Sequence, residues 1–118
     1  MPSRNYRDLL AWQRSMDLVV EIYNLTKSFP REEMYCLTNQ LRRSAISIPS
    51  NIAEGQGRGT DPELVRHLRI GHGSLREAET QVLIGERLEY VTERQIRPVM
   101  LLSEEVGRLV NGLIRSKA

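Results

Sequence analysis

QLRRSAISIPSNIAEGQGRG, residues Gln40–Gly59, joins helix-forming residues, a proline in mid-run, many small side chains and a closing set of glycines. Wound at about 100° per residue, it separates into three faces. Leu37, Leu41, Ala45, Ile48 and Ile52 recur at spacings of 4, 4, 3 and 4, the apolar stripe of a buried helix face. Gln40, Arg43, Ser44, Ser47, Asn51, Glu54 and Arg58 line one flank, and Arg42, Ile46, Pro49 and Ala53 fill the remaining side. A solvated flank is usually rich in Glu and Lys. This one uses amides, hydroxyls, arginine and a single Glu, which fix geometry through directed hydrogen bonds. The residue types favour a polar network between packed helices over a binding surface, and either over catalysis. Pro49 removes a backbone donor at a cost of roughly 3 kcal/mol in a helix interior. The apolar stripe keeps its phase from Ile48 to Ile52, so the expectation is one kinked helix rather than two.

Working outward, a helix is expected from about Asp8 to Lys27, after a loosely held lead-in at residues 1–7. Its stripe is Leu9, Trp12, Met16, Val19 and Tyr23, broadened by Leu18, Ile22 and Leu25, with Trp12 as a core or interface anchor. Phe29-Pro30 ends it, because proline disfavours helical backbone in the preceding residue. The second helix is expected to begin within Arg31–Tyr35, with Glu32 and Glu33 favoured by the helix dipole, and to stop at the glycines of 55–59, a C-cap and turn rather than a phosphate loop. Asp61-Pro62-Glu63 reads as the next start, with Asp61 capping. Leu64, Leu68, Gly71, Leu75, Ala78, Val82 and Gly85 then form a heptad-like seam to about Leu88. Gly71, Gly73 and Gly85, with Ser74 and Ala78, point to close helix approach within the bundle or between subunits. Glu89–Val91 is a turn, and Thr92 with Gln95 reads as a capping box. The fourth helix runs to about Ile114 or Arg115 on Ile96, Val99, Leu102, Val106, Leu109 and Leu113. Pro98 implies either a start near Arg97 or a bend there, and the last three residues are expected to fray. The whole reads as a single all-α domain over 1–118, an antiparallel up-down-up-down four-helix bundle.

A domain of 118 residues can bury an adequate core without staples. Net charge is +2, and by successive quarters of the chain it runs +1, +1, −2 and +2, so no block of one sign stands out. Only Lys27 and Lys117 among the basic residues are lysine; the rest are arginine, whose planar fork suits phosphate and carboxylate. So small an excess would need repetition through oligomerisation to make a nucleic-acid footprint. The single cysteine, Cys36, excludes an internal disulfide and a cysteine metal cluster, and its apolar neighbours suggest an inert thiol. No apolar run reaches membrane-spanning length and no signal-peptide core is evident, so the cytoplasm is expected. No metal site or cofactor is expected: neither His67 nor His72 follows Glu by three residues, and their spacing of five points them apart. Glu77, Glu79 and Glu86 form a surface or network set, not an acid/base pair.

Several strings together resemble the four-helix-bundle proteins related to those encoded in 23S rRNA intervening sequences. They are Leu9-Leu10-Ala11-Trp12-Gln13; Phe29-Pro30 with Glu33 and Tyr35; Gln40-Leu41-Arg42-Arg43-Ser44-Ala45 running into Ser47-Ile48-Pro49-Ser50-Asn51-Ile52-Ala53-Glu54-Gly55; and Gly73-Ser74-Leu75 with Glu77, Glu79, Thr80 and Gln81. Gly71 stands where the family more often has alanine, and Pro98 lies outside its pattern. The resemblance implies a bundle that assembles as a homopentamer, no established enzyme activity, and RNA or DNA as a partner, as for a similar pentameric bundle that serves diversity-generating retroelements. Arg42, Arg43, Arg58, Arg66, Arg69 and Arg76 are the candidate nucleic-acid contacts. Gln40, Ser47, Asn51, Glu54 and Glu79 are the candidate network or subunit contacts. The competing expectation is a pentameric protein-interaction scaffold that binds no nucleic acid.

Overall fold

The computed structural model describes residues 5–118; of the lead-in expected at residues 1–7, residues 1–4 lie outside them, and residues 5–7 are ordered, with Asn5 capping a 3-10 turn. Four helices carry the chain: α1 (Leu10–Thr26), α2 (Leu37–Gly57), α3 (Asp61–Arg87) and α4 (Glu93–Lys117), and no strand occurs among the described residues. Each helix packs on two neighbours, α1 on α2, α2 on α3, α3 on α4 and α4 on α1, and among the described residues no Cα atoms of either diagonal pair lie within 8 Å of each other. The α2/α3 side therefore lies opposite the α1/α4 side.

The α2 stripe is the centre of the core: Leu41, Ala45, Ile48 and Ile52 are fully buried. The helix is continuous through Pro49, which is itself buried. All seven positions of the α3 seam are buried too. Its glycines separate by role. A Cβ on Gly71 would rest 3.6 Å from the Ile48 carbonyl, and one on Gly85 would strike the Phe29 ring at 2.7 Å, whereas Gly73 is exposed with open space around it. Gly73 thus leaves the predicted seam. Gly55, inside α2 rather than at its cap, presses on His67 of α3.

Elsewhere the expected faces rotate. The buried side of α1 is Ala11, Ser15, Leu18, Ile22 and Leu25, while Trp12, Met16, Val19 and Tyr23 lie half-buried or exposed beside it. The small Ala11 and Ser15 let the helix sit close to the core, and the larger residues are left to its flank. In α4, after Val99, the buried positions are Ser103, Val106, Gly107, Val110 and Ile114, with Leu102, Leu109 and Leu113 on the shoulder.

The helix ends also differ from expectation. α1 starts after a separate 3-10 turn at Tyr6–Asp8. Arg31–Glu33 is another 3-10 turn, and an off-helical Cys36 (φ −122°, ψ −106°) separates it from α2. Cys36 is exposed rather than folded into an apolar turn. Thr60, not Asp61, caps α3. Thr92 and Gln95 do form a reciprocal capping box, so α4 starts at Glu93 and carries Pro98 inside it. It runs on to Lys117, past the expected end, with the Ala118 N–H bonded to the Ile114 carbonyl at 2.8 Å. At one end of the molecule Glu33 joins two segments: it accepts from the Leu37 N–H at 3.2 Å and from the Tyr90 hydroxyl at 2.7 Å. No helix among the described residues is long and apolar enough to cross a membrane.

Candidate functional site

The polar flank of α2 meets α3 in a chain of hydrogen bonds. Ser47 Oγ lies 2.8 Å from Ser74 Oγ, and Asn51 Nδ2 donates to the Ser47 carbonyl at 2.9 Å and to Ser47 Oγ at 3.0 Å. With its amide nitrogen so engaged, Asn51 turns Oδ1 toward His67 Nδ1, 3.0 Å away. Nδ1 is therefore the donor, and Nε2 is left to accept from Arg66 Nη2 at 3.3 Å. Glu54 stands at the rim, 3.9 Å from His67 Nε2 and 2.8 Å from Arg58. Its carboxyl is held below the usual range, first by the hydrogen bond from Arg58. Ser47 meets Ser74 while Gly55 meets Leu64 and His67, so α2 and α3 run in opposite directions.

This set locks two helices together. His67 is buried, its acceptor nitrogen faces a guanidinium, and the two serines bond each other rather than the imidazole. No hydroxyl is activated by that arrangement, because a nucleophile needs the base nitrogen within reach.

Of the five residues expected in a polar network, Ser47 and Asn51 are at its centre and Glu54 at its edge. Glu79 belongs elsewhere: it accepts from Ser103 Oγ of α4 and pairs with Arg76 at 2.7 Å. Gln40 lies outside the network, on an open hollow of about 490 Å³ with Tyr35, Arg43, Glu77 and Gln81. His67 was not anticipated as a member, nor Ser103 as the partner of Glu79. His67 carried a signal, since it falls beside Leu68 on the seam, seven residues before Ser74.

The six candidate arginines divide. Arg42 donates to Thr26 Oγ1 at 2.9 Å and stacks 4.4 Å over the Tyr23 ring, tying α2 to α1. Arg58, Arg66 and Arg76 pair with Glu54, Glu63 and Glu79. Arg43 and Arg69 are exposed and form no ion pair among the described residues.

Large apolar side chains also reach solvent. Met16 and Ile46 border a groove of about 340 Å³ floored by Trp12, Val19, Pro49 and Ala53 between α1 and α2. Ile70, Leu83 and Ile84 are exposed on α3, and Leu101 on α4.

The sequence profile described as 23S rRNA-intervening sequence protein matches residues 7–112. The chain belongs to that family. It is similar, at 26% identity and a TM-score of 0.82, to a crystal structure from Bacteroides thetaiotaomicron described as a protein of unknown function from the S23 ribosomal protein family. That likeness covers 90% of this chain and 99% of the other. No curated protein matches the chain. Two of the strings that carried the resemblance meet where α2 packs on α3. Ser47, Asn51, Glu54 and Gly55 on α2 and Ser74, Glu79 and Gln81 on α3 flank the seam between these helices or its continuation toward α4.

Proposed function

We propose that this member of the 23S rRNA-intervening sequence family is a non-catalytic RNA- or DNA-associated protein of the cytoplasm, an up-down-up-down bundle acting as a homopentamer. One observation carries the nucleic-acid reading: Arg43 and Arg69 are exposed arginines that form no ion pair among the described residues, while Arg42, Arg58, Arg66 and Arg76 are engaged within the chain. The family's description names ribosomal RNA context, which fits that chemistry. A net charge of +2 is weak for one copy, and ring symmetry multiplies it. The non-catalytic part is supported by the way Ser47, Asn51 and His67 saturate one another.

The test is light scattering with and without short RNA and DNA duplexes at low and moderate salt. The expected result is a mass of five subunits that retains nucleic acid and releases it steeply as salt rises. A pentamer indifferent to nucleic acid favours the alternative, a protein-interaction scaffold, for which the exposed Met16–Ile46 groove is the supporting observation. A monomer overturns both.

A further inference from the structure

The polar flank of α2 divides near its middle. Toward the C-terminus Ser47, Asn51, Glu54 and Arg58 are all engaged within the chain. Toward the N-terminus Asn39, Gln40, Arg43 and Ser44 border, with Tyr35 and Glu77, the hollow of about 490 Å³. None of these six side chains forms a hydrogen bond or an ion pair among the described residues. Arg58, Arg66, Arg76 and Arg97 each pair with a carboxylate on their own helix, whereas Arg43 and Glu77 border one hollow from two helices and stay unpaired. Opposite charges in one cleft that do not neutralise each other suit a ligand carrying both an anion and a hydrogen-bond donor.

The rim of the hollow is aromatic and held in place. Tyr35 is 91% exposed, more than any other exposed large hydrophobic side chain of the described residues. Its backbone is nonetheless pinned on both sides. The Arg31–Glu33 turn precedes it, the Cys36 N–H bonds the Glu33 carbonyl at 2.9 Å, and the Glu33 carboxylate takes the Leu37 N–H. A tyrosine ring so placed offers a large flat contact with few torsions to freeze.

The chemistry of the set narrows the ligand. Arg43 supplies a fork for phosphate, Tyr35 a face for stacking, and Asn39 and Gln40 amides that both donate and accept. Glu77 only accepts, so it repels a bare phosphate or an acidic peptide and favours a base bearing an amino group. Arg43 disfavours a basic peptide in the same way. A duplex cannot use Tyr35, because its bases are already stacked and paired; an unpaired base can. The hollow falls in the ~300–1,000 Å³ range of small-ligand clefts. A second hollow of about 360 Å³, sharing Gln40 and Glu77, extends it between α2 and α3 and leaves room for an adjoining nucleotide.

We propose that this hollow seats one unpaired, amino-bearing base of a single-stranded nucleic acid, stacked on Tyr35 with its edge toward Glu77 and its phosphate on Arg43. The inference rests on the nucleic-acid reading above and names the strand form and the residues that select it.

The test is fluorescence anisotropy of labelled short RNA strands and the matching duplex, at low and moderate salt. The expected result is about tenfold tighter binding of the single strand, and about tenfold loss of that binding in Tyr35→Ala. Tyr35→Ala should leave the slope of log affinity against log salt unchanged, the signature of a lost stack rather than a lost phosphate contact. Tyr35→Phe, which keeps the ring, should bind as the parent does. Oligo-C, whose base carries an amino group, should bind more tightly than oligo-U, and Glu77→Ala should narrow that difference. Single strands bound equally by Tyr35→Ala and the parent overturn this site and leave the nucleic-acid reading standing. Duplex bound as tightly as single strand overturns the strand preference, and oligo-U bound as tightly as oligo-C overturns the role of Glu77. A parent that binds neither form removes the nucleic-acid reading as well. If Tyr35→Ala lowers the mass seen by light scattering, the ring belongs to a contact between copies and the proposal fails.

Discussion

Asn51 Oδ1 accepts from the buried His67 Nδ1 at 3.0 Å, tying α2 to α3. Asn51→Ala would leave the His67 donor buried without a partner and strip Ser47 of a bond. The expected cost is about 1–3 kcal/mol, read as a lower urea midpoint at unchanged slope. Glu54→Ala, at an exposed ion pair, should move the midpoint far less. If the two variants lose equal stability, the buried bond is not what holds the seam.

Three glycines predict opposite signs for the same substitution. At Gly55 an added Cβ would stand 2.7 Å from His67 Cβ, an atom fixed to its backbone, so Gly55→Ala should destabilise by about 1–3 kcal/mol despite its better helix propensity. At Gly85 the obstacle is the Phe29 ring, which can shift, and the loss should be smaller. At Gly73 the space is open, and Gly73→Ala should stabilise the isolated subunit by up to about 1 kcal/mol. Thermal melts of the three variants, ranked in that order, check the packing.

Acid should weaken the fold in two stages. The His72 imidazole has its pKa lowered from the ordinary 6.5, first by burial and then by the Arg76 charge. The folded state therefore keeps His72 neutral. Its contribution is complete above pH 6.5 and is lost as pH falls from there toward the lowered folded value. Glu105 is lowered below the ordinary 4.5, chiefly by the hydrogen bond from Arg14, so its contribution is present above that value and is lost as pH falls through the folded one. Urea midpoints measured from pH 7 downward should decline in both windows. His72→Leu should flatten the upper one and Glu105→Gln the lower; a profile unchanged by both would contradict these assignments.

Arg42 and Arg43 are neighbours with different expected effects. Arg42→Ala breaks the bond to Thr26 and the stack on Tyr23, so it should lower the melting temperature. Arg43→Ala should leave the melt unchanged and reduce nucleic-acid retention. For single strands it should also reduce the slope of log affinity against log salt by about 0.7 for each phosphate that residue 43 no longer neutralises. Equal retention by Arg43→Ala and the parent would remove Arg43 from the interface.

The sequence made α2 and α3 readable because each buries one narrow stripe, with polar or exposed residues on the other sides. It misplaced the buried side of α1 because large apolar residues cover more than half of that helix. Hydrophobicity alone ranks Trp12 and Met16 above Ala11 and Ser15, yet the small pair faces the core. Asn51 stood out by type and position. Its partner did not, because a contact across 16 residues is set by how α2 and α3 slide against each other. Which arginines stay unpaired was equally hidden, since Arg58, Arg66 and Arg76 find carboxylates three or four residues away while Arg43 and Arg69 form no ion pair among the described residues.

Glu33 gives one end of the molecule a shared latch. The α2 N-terminus has no side-chain cap from its own N-cap residue, and its Leu37 N–H depends on the same carboxylate that receives the Tyr90 hydroxyl. The turn before α2 and the turn between α3 and α4 are thus secured by one group. Opening at this end is a joint event: amide protons near Leu37 and Tyr90 should exchange at a common rate, and losing that carboxylate should release both turns together.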